Sequence, residues 1–143
     1  AIEQERAQRS GKPASVVMLD IDHFKKVNDT HGHAVGDNVI RALANLLRQR
    51  LRRVDSLGRY GGEEFMAVLP DCNGEQAVSI LDEIRQQFSS ISFAGEQSEF
   101  HVSLSAGVAS NHERTADEIM EMADRALYTA KNNGRSQVRL AED

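Results

Sequence analysis

Two acidic pairs stand out by residue type and place. Asp20 and Asp22 close a short apolar run, Ser15 to Ile21, whose nearly continuous hydrophobicity predicts a buried central strand. Side chains alternate across a strand, so both carboxylates share a face if the strand reaches Asp22. Acids at the end of a buried strand are costly unless they meet solvent, a cation or hydrogen-bond donors. The second pair, Glu63-Glu64, follows Gly61-Gly62 directly. Taken singly, Asp22 reads as a helix cap and an acidic hairpin tip as solvated surface. If the first strand lies beside the hairpin, however, Asp20 and Glu63 converge from separate segments. A hard divalent cation wants that arrangement: a few carboxylate oxygens, with waters and substrate phosphates filling the rest. The glycines would let a phosphorylated ligand approach the backbone closely.

Positioning these groups requires a set of elements that the pattern supplies. Val35, Val39, Leu43, Leu46, Leu47 and Leu51 mark a helix with one buried face. Asp55 to Tyr60 and Glu64 to Leu69 read as two strands, and the Gly-Gly pair between them suits a tight turn because both residues can take positive φ. Ala77, Ile80, Leu81, Ile84 and Phe88 mark another amphipathic helix, and Phe100 to Ala109 a strand with a bulge near Gly107. Thr115 to Glu118 has the form of a capping box. The helix it opens carries Ile119, Met122, Ala123, Ala126, Leu127 and Ala130 on one side, and Gly134 is its stop. Gln137 to Leu140 is expected as an edge strand. The order is then β, α, α, β-hairpin, α, β, α, β: a mixed sheet covered by helices.

Composition narrows the function classes. The 143 residues fit one globular domain, expected over 14–143, with a polar linker or frayed helix end over 1–13. Cys72 is the only cysteine, so no internal disulfide can form. The net charge of −5 argues against a general nucleic-acid binder, so no nucleic-acid partner is expected. It does not argue against a nucleotide, whose phosphates a cation and a few Lys or Arg can offset. No apolar run approaches a membrane span, and no signal-peptide core appears. His31-Gly32-His33 lacks a second ligand pair for zinc. Ser103 and Ser105 sit in no nucleophile elbow, and no GxxxxGK[ST] loop is present.

Several segments match a known pattern in order and spacing. Arg59-Tyr60-Gly61-Gly62-Glu63-Glu64-Phe65 resembles the signature of the GGDEF family of diguanylate cyclase domains, in its GGEEF form. Asp20-Ile21-Asp22-His23-Phe24-Lys25 resembles the family's DxDxFK strand end, followed by Asn28-Asp29, Gly32-His33 and Gly36-Asp37. Near the C-terminus, Ala123-Asp124, Ala126-Leu127-Tyr128 and Lys131-Asn132-Asn133-Gly134-Arg135 resemble the family's last helix and its exit. The resemblance covers about residues 14–140. An LTxLxNRR segment, usual in the family before the first strand, is not matched in residues 1–13.

The resemblance implies an α/β (α+β) fold: a palm-like central mixed, largely antiparallel sheet flanked by helices, similar to nucleotide cyclase catalytic domains. It implies condensation of two GTP into cyclic di-GMP with two Mg2+ or Mn2+ per site. Asp20, the carbonyl of Ile21, Glu63 and Glu64 would hold the metal, Asp20, Glu63 and Glu64 being the catalytic set. Asn28 and Asp37 would read guanine, Asp37 accepting from N1–H and the amino group. Read alone, Asn28 is also a turn residue and Asp37 a first-turn dipole partner. Lys25, Lys131 and Arg135 would bind phosphates, helped by backbone N–H groups near His23 and Phe24, with Gly62 against the nucleotide. For Lys131 and Arg135, compensation of a helix C-terminus is the simpler alternative.

Arg52-Arg53-Val54-Asp55 resembles the family's RxxD inhibitory site, Arg52 and Asp55 binding product. Read alone, it is a basic helix end before a strand. The reaction would need a homodimer of domains, and an N-terminal sensory domain outside this chain is expected. The domain would be cytoplasmic, its parent protein open to membrane anchorage. Two other classes compete: a module that binds GTP or cyclic di-GMP without turnover, and another palm-like nucleotidyl transferase. Retention of Asp20, Gly61, Gly62, Glu63 and Glu64 favours the enzyme.

Overall fold

The computed structural model describes residues 12–110 and 114–142. The expectation of a linker over 1–13 therefore falls outside the described residues up to position 11. Strand β1 (Ala14–Ile21) is buried at every position, as its unbroken apolar run requires. It is the middle of a five-stranded sheet ordered β2-β3-β1-β6-β7, where β2 is Ser56–Arg59, β3 Glu64–Pro70, β6 Leu104–Ser110 and β7 Val138–Leu140. All pairings are antiparallel except β6 with β7. The fold is thus α+β with a mixed, mostly antiparallel sheet between helices.

The two faces of β1 serve different cores. Val17, Leu19 and Ile21 pack with α1 (Phe24–His31), α2 (His33–Arg50) and α3 (Gly74–Ser90) in the larger cluster. Val16 and Met18 pack with Ile119, Ala123 and Leu127 of α4 (Ala116–Asn132). By the same alternation Asp20 belongs to the α4 face. Among the described residues no helix is long and apolar enough to cross a membrane.

Local signals act where they were read. The capping box at Thr115 and Glu118 is formed in both directions. A second, at Asn73 and Gln76, opens α3. Gly32, with φ of 89°, ends α1 and caps α2 at once.

Two expectations change. Phe100 to Ala109 is not one strand: Glu99–Phe100 is β5, paired with β4 (Phe93–Ala94) in a separate ribbon, and the sheet strand starts at Leu104. No bulge lies at Gly107, since β6 pairs with β1 without a slip from Ser110 to Leu104. The glycine answers a steric demand instead. A Cβ at Gly107 would stand 2.2 Å from the Ala123 carbonyl oxygen and 2.3 Å from the Leu127 nitrogen, so α4 can lie directly on the strand only if position 107 has no side chain.

Candidate active site

The end of β1 and the start of β3 meet as the two acidic pairs suggested. Asp20 is the cross-strand partner of Glu64, and the Ile21 N–H donates to the Glu63 carbonyl at 3.3 Å. Asp20 is 5% exposed. Its Oδ2 accepts a hydrogen bond from the Lys131 ammonium, reaching over from the last turn of α4. Its Oδ1 is buried and has no partner. Burial pushes the Asp20 carboxyl pKa up; Lys131 pulls it down, and the neighbouring Glu63 and Glu64 charges add to the rise. A buried, unpartnered carboxylate oxygen beside two further carboxylates fits a divalent cation, whose charge would satisfy all three. Among the described residues no three His, Cys, Asp or Glu side chains form a finished cage. Phosphate oxygens and movement of Glu63 and Glu64, both half-buried, would have to complete one.

The hairpin itself differs from expectation in one respect. The Tyr60 N–H donates to the Glu64 carbonyl at 2.7 Å, and the Arg59 guanidinium braces the turn through the carbonyls of Gly61 (3.2 Å) and Gly62 (3.0 and 2.6 Å). Neither Gly61 nor Gly62 has positive φ. A Cβ at Gly62 would meet nothing within 4 Å, and one at Gly61 only the Glu64 Cβ at 3.8 Å. Neither backbone conformation nor packing within the protein therefore demands glycine here. What the pair leaves is open space above the hairpin.

Helices α1 and α2 bring the base-reading candidates together. His23 sits in the left-handed region (φ 55°) and Phe24 starts α1, so the first N–H groups of α1 point away from the helix without intrahelical acceptors. Lys25 is exposed in that first turn. Asn28 lies inside α1, not in a turn, and its Oδ1 is buried without a partner. A Cβ at Gly36 of α2 would stand 1.9 Å from that oxygen. The missing side chain at 36 thus makes room for the Asn28 amide, beside the exposed Asp37. Asp37 is the fifth residue of α2, beyond the first turn, which weakens the helix-dipole reading.

At the end of α4, Lys131 does more than compensate a helix terminus, because its ammonium pairs with Asp20. Arg135 lies past the helix end at φ 61°, after Gly134 at φ 104°, and its guanidinium reaches the Lys131 carbonyl at 3.5 Å.

Asp22 is not a helix cap. The N-cap of α1 is His23, with no side-chain capping bond. The Asp22 carboxylate instead accepts from the Ser103 and Ser105 hydroxyls at 2.6 and 2.7 Å and from the Ser136 N–H at 3.0 Å. The alternation Ser103-Leu104-Ser105, which places both hydroxyls on one face of a strand, was the available signal for this.

Arg52 and Asp55 meet in a separate corner. The Arg52 guanidinium donates to Asp55 Oδ1 at 2.7 Å and Oδ2 at 3.3 Å, and to the Pro70 carbonyl at 2.5 Å, while the Arg52 N–H donates to Asp55 Oδ2 at 2.7 Å. Asp55 raises the Arg52 pKa through these bonds. The Asp55 carboxylate is thus enclosed and satisfied, while the Arg52 side chain stays 46% exposed.

Comparison with known proteins gives one answer. The family model described as diguanylate cyclase, GGDEF domain, matches residues 1–137. Diguanylate cyclase A of Treponema denticola is 39% identical over 131 residues, which is 90% of this chain and 35% of that protein. The active GGEEF domain of a diguanylate cyclase from Vibrio cholerae superposes with a TM-score of 0.93 at 38% identity, covering 99% of this chain and 91% of that one. The GGDEF domain of DgcB from Caulobacter crescentus, in complex with c-di-GMP, gives 0.94 at 34% identity, covering 99% and 85%. The chain thus spans about a third of the length of the Treponema relative.

Proposed function

This chain belongs to the GGDEF family of diguanylate cyclase domains, and on that premise we propose that it joins two GTP molecules into cyclic di-GMP, releasing two pyrophosphates. The observation that carries the reading is the buried, unpartnered Asp20 Oδ1 at the strand end paired with Glu63 and Glu64. Two Mg2+ or Mn2+ ions, held by Asp20, the Ile21 carbonyl, Glu63 and Glu64, would offset phosphate charge and favour attack by the 3′-hydroxyl on the α-phosphorus.

The protein's own work is positioning. Asn28 and Asp37 take the guanine edge, and Asp37 can accept the two N–H donors that adenine does not present together. Lys25, Lys131, Arg135 and the N–H groups at Phe24 hold the phosphates. Lys131 then trades its bond with Asp20 for the triphosphate. The open space over Gly62 admits the nucleotide. Glu63 or a water receives the hydroxyl proton. One domain holds one GTP, so ring closure needs two domains face to face about a two-fold axis. Arg52 and Asp55 bind product and slow the enzyme. The domain spans 14–143, works in the cytoplasm and follows an N-terminal sensory domain of its parent protein.

The test is to incubate concentrated chain with GTP and magnesium and resolve the products by chromatography and mass. Cyclic di-GMP and pyrophosphate, lost on Glu63→Ala, are expected. Tight GTP binding without product, persisting after forced dimerisation, would replace the enzyme with a nucleotide-binding regulatory module.

A further inference from the structure

Asp22 has no part in the chemistry above, yet it is 4% exposed and the best-satisfied carboxylate near the site. Oδ1 accepts from Ser105, and Oδ2 accepts from Ser103 and from the Ser136 N–H. Its own N–H donates to the Ser103 carbonyl at 2.9 Å. Three donors take three of the roughly four lone-pair sites on its two oxygens, in contrast to Asp20 two residues away, whose Oδ1 has no partner.

The third donor matters most. Ser136 ends a bend, Gly134–Ser136, in which all three residues have positive φ: 104°, 61° and 47°. For Arg135 and Ser136 that conformation is strained and persists only where surroundings over-determine it. The surroundings are the Ala130 carbonyl, which accepts from the Arg135 N–H at 3.0 Å, the Asp22 carboxylate on the Ser136 N–H, and Arg85 of α3 on the Ser136 hydroxyl at 3.3 Å. The bend follows Lys131 by three residues and contains Arg135, the two cations assigned to phosphate.

We infer that Asp22 is a positioning residue: it clips the bend after α4 to the end of β1 and so aims Arg135 at the nucleotide phosphates. This rests on the nucleotide reading proposed above. The clip joins the strand that carries Asp20 to the loop that carries Arg135, so the two sides of the phosphate site hold one geometry.

The substitutions Asp22→Ala and Asp22→Asn separate this role from metal ligation. An asparagine amide can remake all three bonds, because serine hydroxyls both donate and accept. Affinity for the α,β-methylene analogue of GTP, with magnesium, is measured for each variant, alone and with Arg135→Ala. Asp22→Ala is expected to weaken binding about tenfold and Asp22→Asn to stay within about threefold of the native chain, while Asp22→Ala costs less than about twofold once Arg135 is gone. Affinity for guanosine, which has no phosphates, should stay within about twofold throughout. Equal loss in Asn and Ala, loss of guanosine together with the analogue, or additive losses with Arg135→Ala would each overturn the inference.

Amide exchange at Ser136, whose N–H Asp22 holds, reads the clip without nucleotide. It should rise about tenfold in Asp22→Ala and return in Asp22→Asn; unchanged exchange overturns the clip. If the native chain binds neither ligand, the nucleotide reading and the aiming role both fall, whatever exchange reports. Should Asp22→Ala fail to fold, the pair Ser103→Ala and Ser105→Ala removes two of the three donors. It should give the same non-additivity with Arg135→Ala, and its absence counts against the inference.

Discussion

Two polar regions lie at opposite ends of β3. Glu64 opens the strand beside Asp20, and Pro70, whose carbonyl accepts from Arg52, closes it, so about 20 Å of strand separates them. The first region is left incomplete: a buried oxygen of Asp20 and one of Asn28 lack partners, and glycines leave empty space over the hairpin. In the second, the carboxylate is enclosed. Arg52 donates four hydrogen bonds within its own corner, and the Asp55 side chain is 1% exposed. Buried polar groups without partners are costly, so a fold that keeps them has them available for a ligand. A ligand at the second region must exchange bonds at the enclosed Asp55 carboxylate, while the Arg52 side chain, 46% exposed, offers only its outer edge. On this reasoning the first region binds by gaining contacts, and the second, if it takes product, does so through the exposed edge of Arg52.

The largest expected effect comes from removing the unsatisfied acid. Asp20→Ala should lower cyclic di-GMP formation by at least about 100-fold, measured by chromatography at saturating GTP. Retained activity would mean that the unpartnered oxygen is not where cation charge is needed.

Glycine substitutions sharpen the contrast between space kept for packing and space kept for a ligand. Gly107→Ala drives a Cβ into the α4 backbone and should cost about 3 kcal/mol in urea unfolding. Gly62→Ala should cost less than about 0.5 kcal/mol in the same experiment yet weaken GTP binding about tenfold. Gly36→Ala displaces the Asn28 amide and should also weaken GTP binding about tenfold, with ATP and GTP then separated less well.

At the Arg52–Asp55 corner, Arg52→Ala should raise the cyclic di-GMP concentration needed for half-inhibition about tenfold, with initial rates preserved. Leaving Asp55 buried without its guanidinium should cost about 1 kcal/mol of stability. Unchanged inhibition would confine that pair to a structural role.

The smallest effect is a pH trend. Burial holds the folded-state Asp20 pKa above its ordinary 3.8, so the folded metal-free chain binds that proton more tightly than the unfolded one. This contribution favours folding most at low pH and is lost as pH rises through the window from 3.8 to the raised value. The difference in thermal midpoint between the native chain and Asp20→Asn, measured without metal, should therefore shift in favour of Asp20→Asn as pH increases across that window. A difference that stays flat would mean Asp20 is not desolvated.

Periodicity and short motifs in the sequence by themselves determined much of this molecule: the strand at Ser15 to Ile21, the helices, the hairpin, the capping box at Thr115 and the family signature at Gly61 to Phe65. These are relations between residues at most a few positions apart, and backbone geometry translates them directly into faces and turns. Only the tertiary structure decided that Phe100 leaves the main sheet for a ribbon with Phe93, and that Gly107 is a packing glycine rather than a bulge. It alone decided that Lys131 reaches Asp20 across 111 residues, and that Asp22 gathers donors from 81, 83 and 114 residues away. It also set Gly36 against Asn28. The physical reason is that an isolated carboxylate looks the same in sequence whether it will be left open or saturated. Its partners are delivered by the packing of whole elements on either face of β1, and no local pattern around Asp20 or Asp22 records which elements those will be.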